Sequence, residues 1–178
     1  MRVGYVGPGL VGKRSSFRSV YVHLYGDDLR AVRRIDGDAL WLEAELPDWG
    51  VSDADGGDVS VELASFSTNL FEHSRFPDYL DSLDAVVFVA DTRRVRHAQN
   101  LYCFGRVLQL RHNMGDSSPR VFVHVNVRAE STQEEVDSVV KSLMDVFECP
   151  YTCVDLGSDD AATFRVLDEA VRSFVAAS

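Results

Sequence analysis

The stretch YVGPGLVGKRSSF, Tyr5 to Phe17, narrows the possible folds more than any other part of the chain. Gly7 and Gly12 stand five apart and Lys13 follows, giving the spacing G-x-x-x-x-G-K. A short apolar segment, RVGYVG, precedes it. Behind it Phe17, Val20, Tyr21 and Leu24 recur at helical spacing and predict a helix from Lys13 to Tyr25. Between a strand and a helix, this spacing marks a phosphate-binding loop. Glycines let backbone N–H groups turn inward around an anion, and the helix N-terminus adds partial positive charge. The candidate phosphate-binding residues are therefore Gly7, Pro8, Gly9, Leu10, Val11, Gly12, Lys13, Arg14 and Ser15. Lys13 would reach the phosphate oxygens. The plainer alternative is a tight strand–helix turn with an exposed lysine.

One position departs from the pattern. Such loops place a serine or threonine after the lysine, and its hydroxyl binds Mg²⁺. Here the residue is Arg14, which cannot ligate a cation. Ser15 lies about 100° further round the helix and points elsewhere. Two readings stay open. Arg14 pairs with a phosphate oxygen in place of the metal, or the site no longer holds a triphosphate with magnesium.

The rest of the chain alternates between strand and helix patterns. ALWLEAEL and VSVELASF each alternate, and the acidic, turn-rich PDWGVSDADGGD lies between them, which predicts an antiparallel pair with an exposed loop. AVVFVAD (Ala85 to Asp91) and VFVHVN (Val121 to Asn126) are continuous apolar runs of the kind buried on both faces of a parallel sheet. Leu101, Phe104, Gly105 and Leu108 share one side of a helix. STQEEVDSVVKSLMDVF reads as a helix opened by a capping box from Ser131 to Glu134, with Val136, Val139, Val140, Leu143 and Phe147 inward. YTCVD is a last short strand, and Phe164, Leu167, Val171 and Phe174 mark a last helix. The expected fold class is α/β, with a mostly parallel six-stranded sheet, helices on both faces and one antiparallel hairpin. Residues 1–178 are read as one domain.

Charge limits the partners. Eighteen basic residues stand against 28 acidic ones, a net of −10, and so acidic a chain repels phosphate backbones and anionic lipid. Neither nucleic acid nor membrane insertion is expected, since no segment has the length of a membrane-spanning helix and no apolar signal region precedes the first strand. Arg30, Arg33 and Arg34 form a local basic cluster, read as a solvated loop or helix face. Three cysteines, Cys103, Cys149 and Cys153, are too few and too irregular for a disulfide framework or a zinc site, and suit a cytoplasmic protein.

With GPGLVGK (Gly7 to Lys13) and DAVVFVADTRR (Asp84 to Arg94), the chain resembles the Ras superfamily of small GTPases, and within it the bacterial MglA-like group. The order of elements agrees over nearly the whole chain. The resemblance implies a small-GTPase-like phosphate-loop fold, a cytoplasmic location, GTP or GDP as ligand, a role in bacterial polarity or gliding motility, and a Roadblock/LC7-type protein partner. Measured against that family, several motifs are missing. The first threonine anywhere is Thr68, so no switch threonine follows the first helix. No glycine lies between Gly57 and Gly105, and no glutamine precedes Gln99, so the γ-phosphate sensor and the water-orienting residue are absent. The base-reading N-K-x-D becomes NVRA: Asn126 survives, Val127 replaces the lysine and Ala129 the aspartate. Glu130 lies one step beyond. Asn126 and Arg128 are the base-side candidates. DLGSD (Asp155 to Asp159) corresponds only loosely to the family's last base motif.

No catalytic residue and no metal ligand is assigned. Mg²⁺ lacks its hydroxyl, which leaves GTP or GDP as a ligand without a complete site. His124 is read as a satisfied core histidine, and Asp91 as either a magnesium-side carboxylate or a cap of the next helix. Trp41 and Trp49 flank the acidic loop, as a partner contact or as packing. The serine–histidine–aspartate, H-E-x-x-H and Rossmann patterns are absent. Three functions remain: a pseudo-GTPase that acts through protein contacts, a working GTP switch with non-standard phosphate and metal ligands, and, more remotely, an α/β binding domain for some other anion.

Overall fold

The computed structural model describes residues 1–25, 33–35, 41–46, 59–65, 71, 74, 76–115, 118–155 and 160–176. Its elements run β1 (Arg2–Val6), α1 (Lys13–Tyr25), β2 (Arg33–Ile35), β3 (Trp41–Leu46), β4 (Val61–Ser65), α2 (Phe76–Asp81), β5 (Ala85–Asp91), a 3₁₀ turn (Arg94–Arg96), α3 (His97–Met114), β6 (Arg120–Val127), α4 (Gln133–Val146), β7 (Tyr151–Asp155) and α5 (Asp160–Val175).

The sheet order is β2-β3-β4-β1-β5-β6-β7. The five strands from β4 to β7 form a parallel block. At its β4 side, β3 and then β2 add antiparallel. Two expectations are corrected here. Among the described residues the sheet has seven strands rather than six, and the expected antiparallel pair, β3 with β4, is extended by β2 to a run of three strands. The missed strand is Arg33–Ile35. It is short and arginine-rich, as unaggregated sheet edges are, and those features read as a solvated face. The acidic stretch 47–58, Trp49 and Thr68 lie outside the described residues, as do 156–159 of the last base motif.

The parallel block follows from its sequence. All seven residues of β5 are buried, as a strand covered on both faces requires. On one face Tyr5, Phe17, Val20, Val87, Leu167 and Val171 join α1 and α5 to the sheet. On the other, Phe76, Leu80, Phe88, Phe104, Val123 and Leu143 join α2, α3 and α4. Each fully buried side chain of this size stabilises the fold by about 2 kcal/mol.

Two helical details shift by one residue. The buried positions of α3 are Asn100, Cys103, Phe104 and Val107, with Leu101 and Leu108 packed beside them, and Gly105 is not among them. The capping box of α4 is Thr132 with Glu135, not Ser131 with Glu134. The reason is local: the Ser131 hydroxyl lies 2.6 Å from that of Thr92, which leaves Thr132 to accept from the Glu135 N–H.

Candidate functional site

Parallel strands bring the carboxyl ends of β1, β5 and β6 to one edge, where ligands bind in sheets of this kind. The loop after β1 keeps the shape its glycines predict. Gly7 has φ +153° and Gly12 φ +100°. A Cβ on Gly7 would lie 2.2 Å from the Val89 carbonyl oxygen, so the loop and β5 approach as closely as only glycine allows. Leu10 is the one non-glycine residue with positive φ, +60°, among the described residues. Its side chain is 80% exposed.

The loop's donors face two ways. Among the described residues, the first backbone N–H across the loop–helix junction to find a carbonyl is that of Ser16, which donates to Gly12. The N–H groups ahead of it are the unpaired donors of a helix N-terminus. The Lys13 ammonium is buried and folds back on the loop, donating to the carbonyls of Gly7 and Pro8. Burial pushes its pKa down to about 8, the nearby Cys103 opposes that, and Arg14 adds to it.

Arg14 does not fill the loop. It is exposed and has neither an ion pair nor a hydrogen bond among the described residues; Ser15 is exposed beside it. The guanidiniums at the loop are Arg93, from the segment after β5, and Arg128, from the turn after β6. The Nη2 of Arg93 donates to the Leu10 carbonyl at 3.0 Å, and that of Arg128 at 3.2 Å. Both arginines grip Asp91. Arg93 meets it through Nε at 2.9 Å and Nη2 at 2.7 Å, Arg128 through Nε at 2.9 Å and Nη2 at 2.6 Å. The Asp91 side chain is fully buried. Burial alone would raise its pKa, but the hydrogen bonds from Arg93 and Arg128 outweigh that and hold the carboxyl below the usual carboxylate range. Asp91 is thus neither a magnesium ligand nor a helix cap. It is the counter-ion of two arginines, with the Asn100 side chain bonded to its backbone carbonyl.

Asn126 and His124 form a second, neutral layer. The Asn126 amide donates to the Val11 carbonyl at 2.7 Å and accepts from His124 Nε2 at 2.7 Å. The same Nε2 lies 3.3 Å from the Ser16 hydroxyl. Burial pushes the His124 pKa down to about 4, against the Asn126 bond that raises it, so the ring is neutral at pH 7. His124 Nδ1 has no partner among the described residues. The core-histidine reading therefore describes His124, with the addition that it props Asn126.

The residues brought together are Gly7–Lys13, Asn126 and Arg128; those left outside are Arg14 and Ser15. Sequence reasoning missed Arg93, whose signal was its place two residues beyond Asp91 at the carboxyl end of a buried strand. The set does not fit the Mg²⁺ that the family resemblance implies, because position 14 offers no hydroxyl and the one buried carboxylate among the described residues, Asp91, is held by two cations. Nor does it present the pattern's guanine reader, because position 129 is an alanine without a carboxylate and the Arg128 guanidinium turns to Asp91. The backbone cradle and Lys13 still suit an anion. Compared with known proteins, the chain matches no family model, and no curated protein matches it. Among the described residues no helix is long and apolar enough to cross a membrane.

Proposed function

We propose that this chain is a degenerate small GTPase of the MglA-like kind, a pseudo-GTPase with a small-GTPase-like sheet that works by binding other proteins. Guanine nucleotide binding is weak or absent, and hydrolysis is absent. A cytoplasmic role in bacterial polarity or motility, with a Roadblock/LC7-type protein as partner, goes with that reading. The observation that carries it is the closed circuit of Arg93, Asp91 and Arg128 on the Leu10 carbonyl. A lost bidentate contact to a base costs a few kcal/mol, roughly 2 to 3. Losing the magnesium hydroxyl and the γ-phosphate contact costs more, and small GTPases hydrolyse slowly even when intact.

A second reading, a GTP-dependent switch with altered ligands, draws on the unpaired N–H groups ahead of Ser16 and on the two guanidiniums beside them. Calorimetry separates the two. Nucleotide-stripped protein is titrated with GTP and GDP, with and without Mg²⁺, and the unstripped protein is checked for released nucleotide. No heat and no co-purified nucleotide is the expected result. Micromolar or tighter binding overturns it, and binding indifferent to Mg²⁺ would assign the metal's role to the arginines.

A further inference from the structure

The sheet ends in β2 on one side and in β7 on the other. The two ends differ in charge. Two of the three β2 residues are arginines, which discourage a further strand from pairing there. β7, YTCVD, holds no arginine, lysine or proline, and its one acidic residue comes last. Its outer side has a defined pattern. The Pro150 carbonyl accepts from the Val123 N–H at 2.9 Å, so by alternation Thr152 and Val154 turn their backbone groups to β6. Tyr151 and Cys153 turn theirs away from the sheet, where no described residue bonds to them. Both side chains are also exposed, Tyr151 at 50%.

Beside that strand runs a groove of about 400 Å³, whose lining includes Val136, Asp137 and Val140 of α4 with Tyr151 and Cys153. Lys141, one turn beyond Asp137, shares its flank of the helix. It is exposed and has neither an ion pair nor a hydrogen bond among the described residues. Asp137 stands close to Cys153: burial raises that thiol's pKa, and the Asp137 charge raises it further. α4 connects β6 to the parallel β7 and so runs against both. Four helical residues rise about 6 Å and two strand residues about 6.6 Å, so Lys141 stands level with Tyr151 as Asp137 does with Cys153.

We propose that β7 is the interface of a homodimer, in which a second copy of this chain adds its own β7 antiparallel about a two-fold axis through Thr152. In this register Tyr151 of each copy faces Cys153 of the other, and each such pair exchanges both of its N–H···O=C bonds. Charge complementarity selects the second copy as the occupant and selects the register. The same axis sets Asp137 of one α4 against Lys141 of the other, twice over. An axis through Cys153 would instead set Asp137 against Asp137, and like charges face to face cost association energy. A lone strand, without a flanking helix of its own, would leave Lys141 unanswered. The net charge of −10 opposes association at long range, and salt of physiological strength screens that part. This interface goes beyond the pseudo-GTPase reading and does not depend on it.

The test is sedimentation equilibrium of the full chain over a concentration series. The expected result is a reversible monomer–dimer equilibrium. Lys141→Glu should weaken the dimer roughly tenfold or more without moving the melting temperature of the monomer, because the reversed charge then faces Asp137. Adding Asp137→Lys to Lys141→Glu should restore the dimer, since the exchanged charges pair again. Mild oxidation reads the register. Thr152→Cys should give a disulfide-linked dimer, its two Cα atoms standing about 4.5 Å apart across the axis. The parent should not cross-link, since its two Cys153 Cα atoms stand about 8 Å apart in this register. A monomer at every concentration overturns the proposal. So does a dimer indifferent to Lys141→Glu, a double reversal that fails to restore it, or a disulfide dimer of the parent through Cys153.

Discussion

The loop after β1 and the turn after β6 face each other across the same edge, yet they match the sequence pattern of a nucleotide site to different degrees. The loop, Gly7 to Lys13, keeps a geometry in which Gly7 leaves no room for a Cβ against β5 and Lys13 lies under the arch. The turn, Asn126 to Thr132, fits the base-reading pattern only at Asn126, and Asn126 holds the Val11 carbonyl, a structural bond within this chain. Backbone shape is enforced by packing on every side. A base-reading side chain is enforced by its ligand alone. The part of this edge that fits the phosphate-loop pattern is the part the fold itself enforces, and the part that does not fit is one that only a ligand would enforce.

The largest effect should come from Gly7→Ala. A Cβ at 2.2 Å from a backbone oxygen, at φ +153°, cannot be relieved by a rotamer change. We expect a loss of about 4 kcal/mol in urea unfolding, or no folded protein. Ala129→Asp, its opposite number on the exposed turn, should stay within about 0.5 kcal/mol of the parent. Equal effects at the two positions would erase the contrast between loop and turn.

His124 joins the two regions, and pH reads it. Its folded pKa, about 4, is below the ordinary 6.5, so the unfolded chain takes up its proton first. Stability is therefore full above pH 6.5 and falls as pH drops from 6.5 towards 4, by about 3 kcal/mol in total. His124→Asn should remove that part of the slope in denaturant titrations from about pH 7 to about pH 4. An unchanged slope would mean that the ring is not buried and neutral.

Asp91→Ala leaves Arg93 and Arg128 facing each other. The side chains of the two arginines are 33% and 20% exposed, so solvent screens part of the penalty, and about 2 kcal/mol is expected. In the parent, the depressed Asp91 pKa supplies stability above the ordinary carboxylate range, and that stability is lost as pH falls through the folded value. Thr132→Ala should cost about 1 kcal/mol for a lost cap on α4, with Glu134→Ala close to neutral. The reverse ranking of those two would restore the cap that the sequence alone suggests.

The sequence made the loop legible because its glycines obey steric rules that need no tertiary context. YTCVD read as a strand and is one, Tyr151–Asp155, and Lys13–Tyr25 read as a helix and is one. The Asp91 circuit was not legible, because Arg93 and Arg128 are far apart in sequence and only the pairing of β5 with β6, which sets Asp91 beside Asn126, brings them to one carboxylate. The cap of α4 was misread by one residue because Ser131 and Thr132 are chemically alike, and the hydroxyl of Thr92, distant in sequence, decides between them.

The Leu10 carbonyl accepts from two arginines that share one counter-ion, so none of the ends of β1, β5 and β6 can separate from the others without breaking a charged contact. In amide hydrogen exchange these three strand ends should then open as a single cooperative unit. They would share one opening free energy and one response to denaturant, where an ordinary ligand loop would exchange ahead of its sheet.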